Sequence, residues 1–159
     1  MRVYLMRHGI ARERDEWDGA DDARPLTSEG RRKVKAVTKA LRKQQRLDVS
    51  EVWTSPLVRA RETAEIAAKV LKVPVKDCPA LACGADLAKV AAALAAAQAP
   101  DGVLLVGHEP DCGGILAQLL GEPEPRPFKK AGVACVEGQF VGGGMRLKWH
   151  VAPKDVLEG

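Results

Sequence analysis

Two short, unbroken apolar runs, Val3-Tyr4-Leu5-Met6 and Val103-Leu104-Leu105-Val106, constrain the fold of this chain more than any other feature. Each is too short for a helix and rich in β-branched or aromatic residues. Each therefore reads as a strand buried on both faces, the pattern of a parallel sheet covered by helices. Arg7-His8-Gly9 follows the first run at once, and Gly107-His108 follows the second. Ligands of open α/β sheets bind beyond the carboxyl ends of the strands, so Arg7, His8 and His108 stand where chemistry is expected.

The segments between these runs supply the rest of an α/β pattern. Ile10 to Arg24 is acidic around Trp17 and has no period, so it reads as a long loop near the site or as a solvated connector. Thr27 can cap a helix in which Val34, Val37 and Leu41 form an apolar stripe up to Arg46, with Gly30 as a weak point. Eight cations fill its other faces, from Arg31 to Arg46, and a solvated face explains them more readily than a docking surface. Val49 to Thr54 reads as a second strand, and Ser55-Pro56 as the cap and first residue of a helix reaching Leu71. Val73 to Lys76 is a short strand, and Asp86 caps an alanine-rich helix ending near Gln98. A helix from Asp111 to Leu120 stops at Gly121, and an irregular connector follows to Lys130. Val133 to Phe140 and Met145 to Val151 then close the chain as a hairpin around Gly142-Gly143-Gly144, with His150 as a structural residue. The expectation is one three-layer α/β/α domain over residues 1–159, with a mixed, mainly parallel sheet and helices on both faces.

Composition narrows the class. The length of 159 residues suits a single domain with its own core, and the charge of +4 favours anionic substrates or partners without selecting one. Four scattered cysteines lack a Cys-x-x-Cys pair, which fits reduced thiols in a cytoplasmic protein better than a disulfide frame or a metal site. No secretory segment or membrane span is evident. Nucleic acid, membrane, metal and cofactor are accordingly not expected, and the protein is expected to be a monomer.

Arg-His-Gly alone is a weak signal. Its company is more specific: Ser55-Pro56-Leu57-Val58-Arg59-Ala60 after the second strand and Gly107-His108-Glu109-Pro110 after a later one. Arg59 at a helix start could grip a phosphate bidentately, or could form a surface pair with Glu62 or Thr63. With these three segments in order, from Arg2 to about Pro153, the chain resembles the histidine phosphatase superfamily, whose fold is phosphoglycerate mutase-like. Arg24-Pro25-Leu26-Thr27 and the short length are most similar to its small SixA-type branch, associated with removing phosphate from phosphohistidine in proteins.

That resemblance implies that His8 is the nucleophile, that Arg7 and Arg59 neutralise the phosphate and that His108 adds a hydrogen bond. It also suggests that Arg24 reaches the phosphate; from the residues themselves, a surface arginine before a turn fits equally. Phosphoryl transfer needs such charge around the equatorial oxygens. Larger members of the superfamily usually carry an acid in an inserted cap, for which the interval from Leu71 to Val103 leaves no room. Glu109, Glu13 and Glu16, with Asp15 and Asp18, remain as possible proton donors. The expected function is a metal-independent phosphatase acting on protein phosphohistidine; the alternatives are a phosphomonoesterase for small phosphoesters and a catalytically weak phosphate- or partner-binding module.

Overall fold

The computed structural model describes residues 1–157. Its sheet has six strands, β1 (Arg2–Arg7), β2 (Glu51–Thr54), β3 (Val75–Asp77), β4 (Val103–Gly107), β5 (Val133–Gly138) and β6 (Met145–Val151), in the order β3-β2-β4-β1-β5-β6. β3, β2, β4 and β1 are parallel, and β5 and β6 add antiparallel to the edge beyond β1. The sheet is thus mixed and mainly parallel, as the apolar runs required.

Strand alternation sends neighbouring residues of the same buried run into different cores. Val3, Leu5, Val103 and Leu105 pack with Val90 and Leu94 of α3 (Leu87–Ala96) and with Ile115, Leu116 and Leu119 of α4 (Asp111–Leu120). Tyr4, Met6, Leu104 and Val106 pack on the other face with Val34, Val37 and Leu41 of α1 (Ser28–Lys43) and with Ala60, Ala64 and Ala67 of α2 (Val58–Leu71). Helices cover both faces, so Val3 to Met6 of β1 and Val103 to Val106 of β4 are all apolar. A last short helix, α5 (Pro153–Leu157), adds Val156 to the second core and was not apparent from the sequence pattern.

Several local expectations shift. Thr27 does cap α1, accepting from the Gly30 amide at 2.9 Å, but the helix stops at Lys43 because Gln45 turns left-handed at φ 58°. Ser55 does not cap α2; Leu57 occupies the cap position and offers no side-chain bond, because the Ser55 hydroxyl is engaged elsewhere. The hairpin strand β5 ends at Gly138 rather than Phe140, since Gly138 lies at φ 139° and would bring a Cβ against the Gly144 carbonyl. The acidic stretch after β1 holds two single 3-10 turns, Arg14–Glu16 and Asp21–Ala23, closed by an Ala11–Leu26 bridge.

Gly30 is the clearest case of a residue whose reason is tertiary. A Cβ there would sit 2.1 Å from the Ile10 carbonyl oxygen, so the helix rests backbone-to-backbone on the chain leaving the site. Glycine costs an isolated helix about 1 kcal/mol relative to alanine. Gly30→Ala is nevertheless expected to destabilise this protein, by more than about 1 kcal/mol, as a lower urea midpoint; a raised midpoint would show that the Ile10 backbone yields.

Candidate active site

Three adjacent parallel strands end side by side. In the ladders Arg7 pairs with Gly107 and Thr54 with Val106, so the residues just past them must emerge at one edge of the sheet. His8 and His108 meet there with ring centroids 5.2 Å apart and planes at 60°. Arg59, the second residue of α2, enters from the helix that follows β2. Arg7, His8, Arg24, Arg59 and His108 together line one open cleft of about 460 Å³.

The His8 ring is fixed from behind. Its Nδ1 lies 2.7 Å from the Gly9 carbonyl oxygen, which assigns the proton to Nδ1 and leaves the Nε2 lone pair free. The Gly9 amide in turn donates to Thr63 Oγ1 at 3.0 Å, and Thr63 donates to the Arg59 carbonyl at 2.8 Å. The same α2 turn that supplies Arg59 thereby orients His8. Gly9 permits the approach: a Cβ there would lie 2.7 Å from Val34 Cγ2.

His108 is held by a residue that the sequence pattern presented only as a cap. Ser55 Oγ lies 2.7 Å from His108 Nε2 and accepts from the Leu57 amide at 3.2 Å. Among the described residues Nε2 is the one acceptor in reach of the Ser55 hydroxyl hydrogen, so the hydroxyl donates there and the proton of the neutral His108 ring sits on Nδ1. Ser55 is fully buried, and no spacing rule marks a serine in a Ser-Pro pair as an imidazole partner. Nδ1 of His108 has no hydrogen-bond partner among the described residues; nor has Nε of Arg7 or of Arg59. A buried donor without a partner costs about 1–3 kcal/mol. The side chains that carry these three atoms line the cleft, and two guanidinium groups beside an imidazole suit an incoming anion.

The arginines are braced as well. Arg7 donates from a terminal nitrogen to the Phe128 carbonyl at 3.0 Å, and the connector holding Phe128 also donates to the His8 carbonyl through the Ala131 amide at 3.1 Å. His150 packs against Phe128 with ring centroids 4.3 Å apart and planes at 48°. Arg59 pairs with neither Glu62 nor Thr63 through its guanidinium. It reaches Asp21 instead, donating to the backbone carbonyl at 2.9 Å and to Oδ2 at 3.2 Å. Arg24 donates to Asp21 Oδ1 at 3.1 Å and to the Arg12 carbonyl at 2.5 Å. One carboxylate thus ties the acidic loop to both arginines, and Asp21, undistinguished among six loop acids in the sequence, belongs to the site.

The candidate proton donors separate. Glu13 and Asp15 are exposed and line the cleft, whereas Glu16 lines an adjoining groove with Ile10, Thr27 and Arg31. Glu109 lines the cleft, but both its oxygens accept backbone amides, Gly113 at 2.6 Å and Phe128 at 3.3 Å. It joins α4 to the connector. Lys130 and Cys83, neither of them singled out by sequence, complete the cleft wall. A larger groove of about 660 Å³ lies at the opposite end of the sheet, but there Arg2 is already paired with Glu137 at 3.1 Å.

Burial is the first cause of the low basicity of both imidazoles. It pushes His8 down to about 3, helped by His108, Arg59 and Arg7 and opposed by the Gly9 carbonyl. It pushes His108 down to about 4, helped by Arg59 and Arg7 and opposed by Asp111 and Asp21. Both rings are therefore neutral in the folded protein at neutral pH, while in the unfolded chain they protonate below about 6.5. Stability from this source is complete above about pH 6.5 and declines as the pH falls towards the folded values. Imidazole NMR signals of His8 and His108 are expected to stay at neutral-form positions down to about pH 5, with the unfolding free energy falling over the same window; titration of either ring near 6.5 would contradict this burial.

Comparison with known proteins agrees with the geometry. Residues 3–82 match the family model of the histidine phosphatase superfamily (branch 1). The phosphohistidine phosphatase SixA of Escherichia coli (strain K12) is 31% identical over 158 residues, 96% of this chain and 94% of the relative. The solved structure of the protein histidine phosphatase SixA complexed with tungstate superposes with a TM-score of 0.85 at 28% identity, covering 98% of this chain and 99% of that one. A mycobacterial glucosyl-3-phosphoglycerate phosphatase shares the fold alone, with a TM-score of 0.70 at 20% identity over 95% of this chain and 99% of that one. Its strand-end imidazoles, its sheet order and these relatives together show that the chain belongs to the histidine phosphatase superfamily, in the SixA-type branch, and is a phosphatase.

Proposed function

We propose that this protein removes the phosphoryl group from phosphohistidine on proteins, through a phosphohistidine intermediate on His8, without a metal ion. The observation that carries the reading is the His8 imidazole, neutral and with Nε2 unencumbered, set among cationic and neutral donors in a cleft that no inserted domain covers. Only β3, a 3-10 turn and α3 stand between α2 and β4. A protein surface can therefore approach.

In the first step His8 Nε2 attacks phosphorus while the bond to the substrate nitrogen breaks. Arg7, Arg24 and Arg59 balance the charge on the equatorial oxygens, and His108 donates from Nδ1. The leaving ring, protonated on its second nitrogen by solvent near its pKa of about 6.5, departs as neutral imidazole. Water then attacks the phosphorus on His8, the P–N bond breaks, and inorganic phosphate leaves. No dedicated acid is required for that leaving group, which suits a site whose half-buried carboxylate, Glu109, is already bonded to amides. A reducing compartment, the cytoplasm, suits the exposed thiol of Cys83.

A second reading, hydrolysis of small phosphate monoesters, is favoured by Glu13 and Asp15 on the cleft wall, since an alkoxide needs a proton as it leaves. The two separate in one assay with chelator present, comparing a phosphohistidine-bearing protein with a panel of sugar phosphates. Preference for the protein is expected, and clear preference for a sugar phosphate would favour the second reading. His8→Ala should abolish both turnover and the acid-labile phosphoenzyme; survival of either would remove His8 from the chemistry. Ser55→Ala should lower kcat by about tenfold, because His108 loses the bond that fixes its proton on Nδ1, and unchanged kcat would show that the ring is held without it.

A further inference from the structure

We propose that the seam between α1 and α2, at the end remote from the cleft, is a docking groove for an acidic protein segment that carries an aliphatic side chain between its carboxylates. The groove has a volume of about 390 Å³, a floor of Ile66 and Val70, and walls of Lys35, Lys39 and Arg42 from α1 and Lys69 and Lys72 from α2.

Acidic partners on these two helices stand only towards the cleft. Near the cleft two of their cations are paired, Arg31 with Glu62 at 2.9 Å and Arg61 with Glu65 and Asp77, while Arg32 and Lys33 have no carboxylate partner among the described residues. At the groove none of the five cations lies within ion-pair distance of a carboxylate among the described residues. Arg42 donates to the Val70 carbonyl at 2.6 Å, which joins the two walls. The dipole of α2 accounts for lysines at its carboxyl end. It does not account for Lys35 and Lys39, a like-charged i, i+4 pair inside α1, an arrangement that disfavours the helix. Lys72 stands at φ 59°, ψ 48°, the left-handed cap position where glycine is usual, and so adds a cation where a backbone preference opposes it.

The floor selects among anionic partners. No aromatic ring lines the groove, as stacking of unpaired bases would require. Nor does a large apolar side chain protrude from it, as insertion into a lipid interface would require; Ile66 is half-buried and Val70 buried. A recessed aliphatic floor between two cationic walls fits one branched side chain flanked by carboxylates.

The test is fluorescence polarisation with a labelled helical peptide of glutamates and leucines. Two triple variants of equal charge change are compared, Lys35→Glu with Lys39→Glu and Lys69→Glu in the groove, and Lys89→Glu with Lys148→Glu and Lys154→Glu outside it. The groove variant should bind at least about tenfold more weakly while retaining phosphatase turnover, and the outside variant within about twofold of wild type. A peptide with serine for leucine should bind about tenfold more weakly to the wild type. Amide NMR shifts on titrating the peptide into the wild-type protein give a readout free of variants and should cluster on the facing turns of α1 and α2. Equal weakening by both triples, absence of binding to the wild type, shifts spread over the whole surface, or tighter groove-dependent binding of an oligonucleotide or of vesicles containing phosphatidylglycerol would each overturn the proposal.

Discussion

The parallel pairing of β1 with β4, and of β4 with β2, is the constraint from which the site follows. Arg7 opposite Gly107 and Thr54 opposite Val106 leave no freedom in where His8, His108 and the start of α2 emerge. Because side chains alternate with a period of two, a slip of one residue in either ladder would turn an imidazole into the opposite core. Every residue of β4 is buried, and its side chains alternate between two apolar clusters, Val103 and Leu105 on one face and Leu104 and Val106 on the other.

Around that edge the groups that would react are separated from the groups that hold them. Gly9 and Thr63 fix His8, Ser55 fixes His108, and the connector through Phe128 and Ala131 fixes Arg7. Arg59 and Arg24 share Asp21. Such second contacts confine each side chain before any substrate arrives, so less ordering remains to be done as the reaction proceeds. The depressed basicity of the two rings comes from the same burial, since a water-excluded edge disfavours imidazolium whatever its partners.

Both faces of the sheet meet this site, but they contribute differently. The face under α1 and α2 carries the ties between elements: Glu62 accepts from the Leu26 amide at 2.8 Å, and Gly30 lets α1 rest on Ile10. The face under α3 and α4 is an apolar platform, with Cys112 and Leu81 beside Gly107. The cleft at the rim can therefore be rigid at its base while the acidic loop from Arg12 to Arg24, built of two 3-10 turns and exposed along most of its length, forms its outer wall.

Much of this was legible in the chain itself, for physical reasons. Continuous apolar runs specify strands covered on both faces, Thr27 and Asp86 mark helix starts by their side-chain chemistry, and Gly121 marks a helix end by its left-handed backbone at φ 70°. The strand-end segments name Arg7, His8, Arg59 and His108 because their position relative to a strand is local information. Ser55 and Asp21 were not legible in this way. A serine before a proline has the same local signature whether it caps a helix or orients an imidazole, and one aspartate among four in a loop is distinguished only by which arginines fold over it. Local sequence determined the elements, their order and the cations at their ends; the tertiary structure decided which hydroxyl faces His108 and which carboxylate reaches Arg59, because those contacts bridge 53 and 38 positions of chain through one packed edge.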